Sequence, residues 1–432
     1  MNKLVKYCIC VCAAVWYTSC KKPFEPTLVD RFTNYLAVEG TIISGDSTII
    51  TLSRTTGLKD PTQKKVELKA SVSIEDDQKV IFPLVEKGKG NYALGVTNFD
   101  AARKYRLNIK TATGGTYQSD FVPMKVTPPI DSVYYKLPDS QSMLFYVDTH
   151  DATNKTRYYR WEYKETWAYT AYYGGIRNSR AYLRYEYVNG NIVDKYPGGL
   201  FVGTCYGTAP SNEILIGSST KMINDVINGQ QIGRITANSR KISKLYNMRL
   251  YQYAITEDAF NYYQNLKKNT EGLGSIFDAQ PSLTTGNIHS ISNPAERVLG
   301  FISASTVSAK VLTIDQAHIP LNVEIIRPGD CTALICLNNF NYYVGPPDTL
   351  DCDGTYSGNI SVEPQSTFST RLKTLYSKSY QVMITSENQG IVNGVRQITG
   401  YSYFKRDCID CRAMPGGENA TYERPPYFPA FQ

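Results

Sequence analysis

Residues 66–75 read VELKASVSIE, and this short stretch decides the fold class. Its apolar residues occupy every second position: Val66, Leu68, Ala70, Val72 and Ile74. A period of two buries one face of a β-strand and leaves the other face in water. The alternation returns at 105–110, and Gly114-Gly115 then offers a tight hairpin turn into 116–122. The sequence therefore predicts a mostly β protein.

Tyr105 indicates which kind of β fold this is. It follows a loop and opens a strand, a position that resembles the tyrosine corner of immunoglobulin-like sandwiches. Short strands and regular turn signals predict an N-terminal immunoglobulin-like β-sandwich over residues 30–126. The segment 127–129 (TPP) follows as a linker, because two prolines cannot donate to a sheet ladder.

A second, larger β-sandwich-like region is predicted over residues 130–407. Aromatic residues alternate along 159–169, and Leu183, Tyr185 and Tyr187 repeat the pattern, so the two runs predict a long hairpin with an aromatic face. The candidate contacts for a ligand or protein partner on that face are Trp161, Tyr163 and Trp167. The alternative is that they form the core face of a sandwich strand, which we favour because exposed apolar patches are rare on monomers.

One helix is predicted near residues 257–270. Thr256 is a good N-cap, and acidic residues follow it in the first turn, where they complement the helix dipole. The next block, 274–301, combines apolar anchors with residues that form turns. We expect this block to pack structurally at the junction of the helix and the second β domain. A cysteine-bearing tail, 408–432, ends the predicted organisation.

Composition and charge narrow the class of protein. A hydrophobic content of 42% and a charged content of 20% are typical of a folded protein, and 432 residues suit two or three domains. The net charge of +7 is mild and forms no basic stripe, so we predict no nucleic-acid partner.

The N-terminus has the pattern of an export signal. A basic start and an apolar stretch at 7–16 precede two small residues and Cys20. This order predicts a lipoprotein signal peptide at 1–19, lipidation of Cys20 and a proline-stiffened tether at 20–29. A plain signal peptide and an uncleaved membrane anchor are the alternatives.

Six cysteines remain once the signal peptide and the lipidated residue are set aside. An even number in an exported chain predicts disulfide bonds, and the pairing is left open. The disulfide candidates are Cys205, Cys331, Cys336, Cys352, Cys408 and Cys411.

Two cysteine motifs have alternative readings that imply chemistry. The segment 203–207 (GTCYG) has the glycine spacing of a nucleophile elbow, but loop-forming residues follow it and the three histidines of the chain stand alone. Cys408 and Cys411 are spaced as half a zinc site or a redox pair, but no second pair matches that spacing. We therefore predict no catalytic residues, no cofactor, no metal and no enzymatic activity.

Several sequence blocks together resemble a family of the outer membranes of Bacteroidota, known as domain of unknown function 4249. The blocks are 35–40 (YLAVEG), 158–161 (YYRW), 165–167 (ETW), 274–281 (GSIFDAQP), 286–288 (GNI), 293–294 (NP), 298–301 (VLGF) and 408–412 (CIDCR). The resemblance implies a surface or periplasm-facing lipoprotein, often encoded beside a TonB-dependent transporter. It implies no catalytic residues.

The expected function follows from compartment, architecture and this resemblance. We expect a lipid-anchored outer-membrane protein facing the cell surface, which assists a TonB-dependent barrel by binding ligand or by capping the barrel. Its expected partners are the lipid bilayer, through acylated Cys20, and that barrel. A structural or adhesive surface lipoprotein without a transport partner is the alternative.

Overall fold

The computed structural model describes residues 34–56, 65–170, 204–236, 239–271 and 286–319, together with 420–421, 423–426 and 428. It also describes the backbone of several strands between 182 and 201 and between 334 and 405. The described part is mostly β, as predicted, with one α-helix of 15 residues.

The first ten strands form the N-terminal immunoglobulin-like sandwich. They are β1 (Leu36–Ser44), β2 (Thr48–Arg54), β3 (Lys65–Val66), β4 (Ser71–Asp76), β5 (Ile81–Pro83), β6 (Val85–Gly88), β7 (Asn91–Leu94), β8 (Lys104–Lys110), β9 (Thr116–Ser119) and β10 (Val122–Lys125). One sheet is centred on the antiparallel pair β1 and β2, and the other on β4 and β8. Fully buried side chains from both sheets fill the space between them: Leu36, Ile42, Ile50, Leu52, Ile74 and Leu107.

Tyr105 forms the predicted tyrosine corner. Its ring is buried edge-on against Phe99, with the ring centroids 4.9 Å apart. Its hydroxyl donates to the backbone carbonyl of Asp100 at 3.0 Å, five residues upstream. This bond fixes the loop that enters β8, and the predicted immunoglobulin-like class is confirmed.

The stretch 66–75 differs from the prediction in one detail, because it is divided between β3 and β4. Lys69 lies between the two strands with a φ of 57°, and Leu68 is exposed. The Lys69 amide donates to the Glu86 carboxylate at 2.9 Å, and the Ala70 amide donates to the Tyr92 hydroxyl at 3.0 Å. Side chains thus satisfy amides that a continuous ladder would have paired.

The remaining elements follow in chain order. They are β11 (Ile130–Asp139), β12 (Ser142–Asp151), β13 (Tyr158–Thr170), β14 (Tyr182–Leu183), β15 (Tyr185–Val188), β16 (Asn191–Asp194), β17 (Leu200–Phe201), β18 (Thr204–Pro210), β19 (Leu215–Ser218), β20 (Asp225–Thr236), β21 (Leu245–Ala254), α1 (Glu257–Glu271), β22 (Ile288–Ser290), β23 (Val298–Leu299), β24 (Ser303–Asp315), β25 (Leu334–Asn338), β26 (Tyr342–Gly345), β27 (Val382–Val392) and β28 (Val395–Lys405). Two short 3-10 helices lie at Arg240–Ile242 and Gln316–His318.

The predicted second sandwich is present. A three-stranded sheet of β11, β12 and β20 faces a sheet of β13, β18, β19, β21 and the end of β24. The buried residues between them are large: Met143, Phe145, Tyr159, Trp161, Tyr246, Met248 and Leu250.

The predicted aromatic hairpin is wrong. β13 pairs with β18 and β19 at one edge and with β21 at the other. β15 instead pairs with β16 and, through Tyr185↔Ile384, with β27 in a separate six-stranded sheet. Both runs are strands, but alternation along a strand does not specify its partner.

After α1 the chain returns to the first sandwich. β22 pairs with β9, β23 runs parallel to β1, and β24 begins parallel to β1 and β10. β24 then continues into the second sandwich, where it pairs antiparallel with β21. Residues 288–306 therefore belong to the first sandwich, although the predicted division assigned them to 130–407. One long strand is shared by both sandwiches.

The described part of the block 274–301 packs mainly on the first sandwich, which differs from the expected position. Ile288 and Val298 are buried in its core. Gly300 has a φ of +127°, and a Cβ atom there would lie 2.0 Å from the Val38 carbonyl oxygen, so only glycine fits. The expected contact with the helix does exist, because Phe301 packs on Tyr262 with 5.3 Å between ring centroids.

Candidate functional site

Trp161 lies in the core of the second sandwich. Its side chain is 1% exposed and stacks on Tyr159, with ring centroids 5.8 Å apart. The indole Nε1 donates to the Gln252 side-chain oxygen at 2.8 Å. Gly217 on β19 lies under the ring, where a Cβ atom would approach it to 2.7 Å. Trp161 is therefore not available as a contact for a ligand.

Trp167 and Tyr163 are only partly buried. Trp167 covers Gly207 and lies 5.1 Å from the Lys241 ammonium, a cation–π distance. Tyr163 lines the smaller of two surface clefts, which is described below as the second cleft. Burial raises the pKa of Tyr163 to about 12, so its hydroxyl stays protonated. Of the three predicted aromatic contacts, Tyr163 lies where a ligand could reach it.

The opposite, polar face of β13 forms a larger cleft. Arg160 and Glu162 project from this face, and Arg160 is paired in register with Tyr253 on β21. The outer face of the first sandwich's β1–β2 sheet approaches from one side, and α1 closes another. The cleft between them has a volume of about 610 Å³. It lies at the junction of the two sandwiches and the helix.

Arg160 holds the parts of this cleft together. Its guanidinium lies 4.7 Å from the ring centroid of Tyr263 on α1 and 5.7 Å from that of Tyr253. It donates to the Thr41 hydroxyl on β1 at 3.2 Å and forms an ion pair with Glu162. One side chain thereby joins the first sandwich, the second sandwich and the helix.

The helix places two tyrosines in the cleft wall. The Thr256 hydroxyl accepts from the Ala259 amide at 3.2 Å, as expected of an N-cap, and Ala259 is fully buried. Tyr262 and Tyr263 then follow on the face directed toward the sandwiches. Burial, with smaller contributions from Tyr263 and Glu39, raises the pKa of Tyr262 to about 12.

A second cleft of about 470 Å³ adjoins the first. The two share Arg160, Glu162 and Tyr263, which stand between them. Tyr163 and Tyr251 line the second cleft together with the loop 210–214. The junction therefore offers a continuous grooved surface rich in tyrosine.

Sequence reasoning missed the main residues of this cleft. Arg160 and Glu162 alternate with the predicted aromatic residues of β13, so the sequence places them on the opposite face of the strand, and Tyr253 carries no signal of its own. The even positions of 160–164, which read Arg, Glu and Lys, were the available signal.

Cys205 is part of a strand. It is fully buried in β18 and is disulfide-bonded. Gly207, at the end of the 203–207 motif, lies against the Trp167 ring, where a Cβ atom would come within 2.4 Å of ring atoms. The other disulfide candidates lie outside the described residues or, for Cys336, in a strand described by its backbone alone, so that set of six remains a prediction.

The other sequence motifs have these outcomes. Cys20 and the rest of the N-terminal segment lie outside the described residues. Within the described ranges, no group of three or more metal-ligating side chains is found, and no helix is long and apolar enough to cross a membrane. His150 pairs with Asp131 at 2.8 Å and His289 with Asp120 at 3.1 Å, and all four side chains are exposed.

Fold and cleft define a class: a protein of two β-sandwiches that share a strand and enclose a tyrosine-lined cleft at their junction. The chain belongs to the family described as domain of unknown function (DUF4249), which matches residues 21–311. One solved structure, a two fibronectin type-III domain segment from chicken tenascin, matches 51% of this chain and 90% of its own, with 9% identity and a TM-score of 0.14. No curated protein matches the chain.

Proposed function

We propose that this protein is a non-enzymatic outer-membrane lipoprotein that assists a TonB-dependent transporter by holding a ligand in the cleft between its two sandwiches. Acyl chains on Cys20 would anchor it, with the body facing the cell surface. Ligand binding and capping of the barrel are both compatible with the family and the export signal. The cleft favours ligand binding.

The observation that carries the proposal is the chemistry of the cleft. Its volume of about 610 Å³ is typical of small-molecule sites, which span roughly 300–1,000 Å³. Its wall combines aromatic rings with a few polar groups, the pattern that orients a bound ligand. In the described part of the chain, neither histidine nor cysteine lines it.

A gentle-detergent pull-down of the full chain from its native membrane tests the transporter partnership. A large TonB-dependent barrel that copurifies supports the proposal. Cell-wall or fimbrial material without a barrel would contradict it and favour the structural or adhesive alternative. The same pull-down with an Arg160→Ala variant tests whether copurification depends on the cleft. This substitution disturbs the cleft but leaves Cys20, and therefore the proposed anchor, intact.

Membrane attachment is tested separately by Cys20→Ser. If Cys20 carries lipid, this variant leaves the membrane fraction while the parent remains in it. Ser19→Ala is the matched control, because it keeps a small residue before the acylated position. A Cys20→Ser protein still held in membranes would show that the anchor is something other than acylation.

A further inference from the structure

The cleft carries more negative than positive charge. The carboxylates of Glu39 and Glu162 line it, and Asp46 adjoins the lining residue Ser47. Arg160 is the cation among the described lining residues, and Glu162, Thr41 and two tyrosine rings already engage it. Glu39, by contrast, is exposed and forms no ion pair in the described part of the chain.

Tyr253 provides a second, independent observation. Its side chain is 6% exposed and lines the cleft. Burial, opposed in part by Arg160, raises its pKa to about 12, so the hydroxyl is neutral. This hydroxyl makes no hydrogen bond within the described residues. The hydroxyl lies at the cleft surface, where a hydrogen-bonding group from outside the chain can take the place of water.

The apolar part of the wall lies on the other side of these polar groups. Ile49 is 53% exposed on β2, and Leu266 and Phe301 face the same space. A ligand that combines one positive charge with a short apolar chain would match both parts. An anion would meet the carboxylates, with Arg160 already occupied.

We propose that the cleft binds the ammonium or guanidinium group of a ligand that carries a short apolar chain. The cation lies near Glu39 and Tyr253, and its chain lies along Ile49 and Leu266. Aromatic rings with neighbouring carboxylates are a favourable environment for such a cation. The biological role of this site rests on the proposed function, whereas the binding itself does not.

Calorimetric titration of the full chain in mild detergent tests the inference, with hexylammonium, 1-hexanol and hexanoate as probes of equal length. Hexylammonium should bind more tightly than hexanol, and hexanoate should give no measurable heat. Glu39→Gln should weaken hexylammonium binding by roughly five- to tenfold, the range of one cation contact. Glu423→Gln, an exposed position in the C-terminal tail, is the charge-matched control and should leave the affinity unchanged.

Other outcomes would overturn the inference. Hexanoate or hexanol binding as tightly as hexylammonium would show an anion site or a purely apolar site. Equal losses in Glu39→Gln and Glu423→Gln would show a general charge effect. Titration with N-acetyl-lysine amide shows which kind of molecule supplies the cation. Tighter binding than hexylammonium indicates a basic peptide, and weaker binding indicates a free amine. If hexylammonium does not bind as expected, the proposed partnership with a barrel can still be supported by copurification. If no barrel copurifies, the titration still decides whether the cleft binds a cation.

Discussion

The two faces of β13 share the same spacing of side chains along the strand but differ in burial and in what they contact. On the inward face, Tyr159 and Trp161 are at most 1% exposed and fill the core of the second sandwich. On the outward face, Arg160 and Glu162 lie in the cleft against the first sandwich and the helix. Both faces are built by a period of two, so the pattern alone marks them as different without saying what each contacts.

The two faces are stabilised in different ways, by apolar burial on the inward face and by polar contacts on the outward face. The inward face is stabilised by area removed from water, which is non-directional and large. The outward face is held by one guanidinium that makes four directed contacts. The first arrangement tolerates little change in volume, and the second tolerates little change in geometry. Stability should depend on the first face and ligand binding on the second.

The largest effect is expected from Trp161→Ala on the inward face. Removing a buried indole leaves a cavity and should lower the free energy of unfolding by roughly 3–5 kcal/mol. Urea unfolding followed by circular dichroism measures it. Trp161→Phe is the control, because it keeps an aromatic ring and should cost clearly less. A Trp161→Ala protein as stable as the parent would show that the inward face is not a core.

The next effect concerns Gln252, which is fully buried on β21. Its amide nitrogen donates to the Pro128 carbonyl and the Thr149 hydroxyl, each at 2.9 Å, while its oxygen accepts from Trp161. Gln252→Leu keeps the volume but leaves these groups unpaired, so we expect a loss of about 1–3 kcal/mol. Tyr251→Phe on the outward face is the control. Equal losses would remove the distinction between the faces.

A third prediction concerns Asp151, a carboxylate with a structural role. Although burial opposes it, hydrogen bonds from the Thr153 hydroxyl and amide and from the amides of Thr156 and Lys155 lower its pKa to about 2. Because the folded pKa is below the usual 3.8, its stabilisation is complete above about pH 4 and is lost as the pH falls toward 2.

Asp151→Asn should therefore cost roughly 1–2 kcal/mol at neutral pH, and the difference from the parent should shrink on acidification. Unfolding measured in urea between pH 7 and pH 2 checks it. Asp139→Asn is the control, because Asp139 is exposed at the end of β11 and accepts a single amide bond, from Gln141 at 2.8 Å. A constant difference between Asp151→Asn and the parent across this range would mean that the loop bonds do not depend on the charge.

Much of the fold could be predicted from the sequence, because strands reveal themselves locally. The alternation near Ile74, the tyrosine corner at Tyr105 and the N-cap at Thr256 each depend on residues close in the chain. The return of β22–β24 to the first sandwich could not be predicted, because it depends on contacts between residues more than 150 positions apart, such as the Tyr117 hydroxyl donating to Glu296 at 2.8 Å.

The cleft was harder to predict for the same reason. Thr41, Arg160 and Tyr263 meet there, from three distant parts of the chain. Only Arg160 lies in a noticeable local pattern, the charged even positions of 160–164. The sequence drew attention to Trp161 and Trp167 because large aromatic residues are easy to notice in a strand. In the structure Trp161 lies in the core of the second sandwich, and Trp167 is only partly buried. Local rules therefore located the strand and its polar face but not what that face meets.

The smallest effect on stability is expected from Glu162→Gln, matched against Glu165→Gln on the same strand. The Glu162 side chain is 45% exposed and pairs with Arg160, so removing its charge should change the free energy of unfolding by less than about 1 kcal/mol. Glu165 is buried, pairs with Lys241 and accepts from the Tyr246 hydroxyl at 3.0 Å. Its change to Gln should cost roughly 1–3 kcal/mol, because those partners lose a charged acceptor. Parallel urea titrations compare the two variants. If Glu162→Gln were the more destabilising, the outward face would be a structural interface between the sandwiches, and the cleft would be a by-product of their packing.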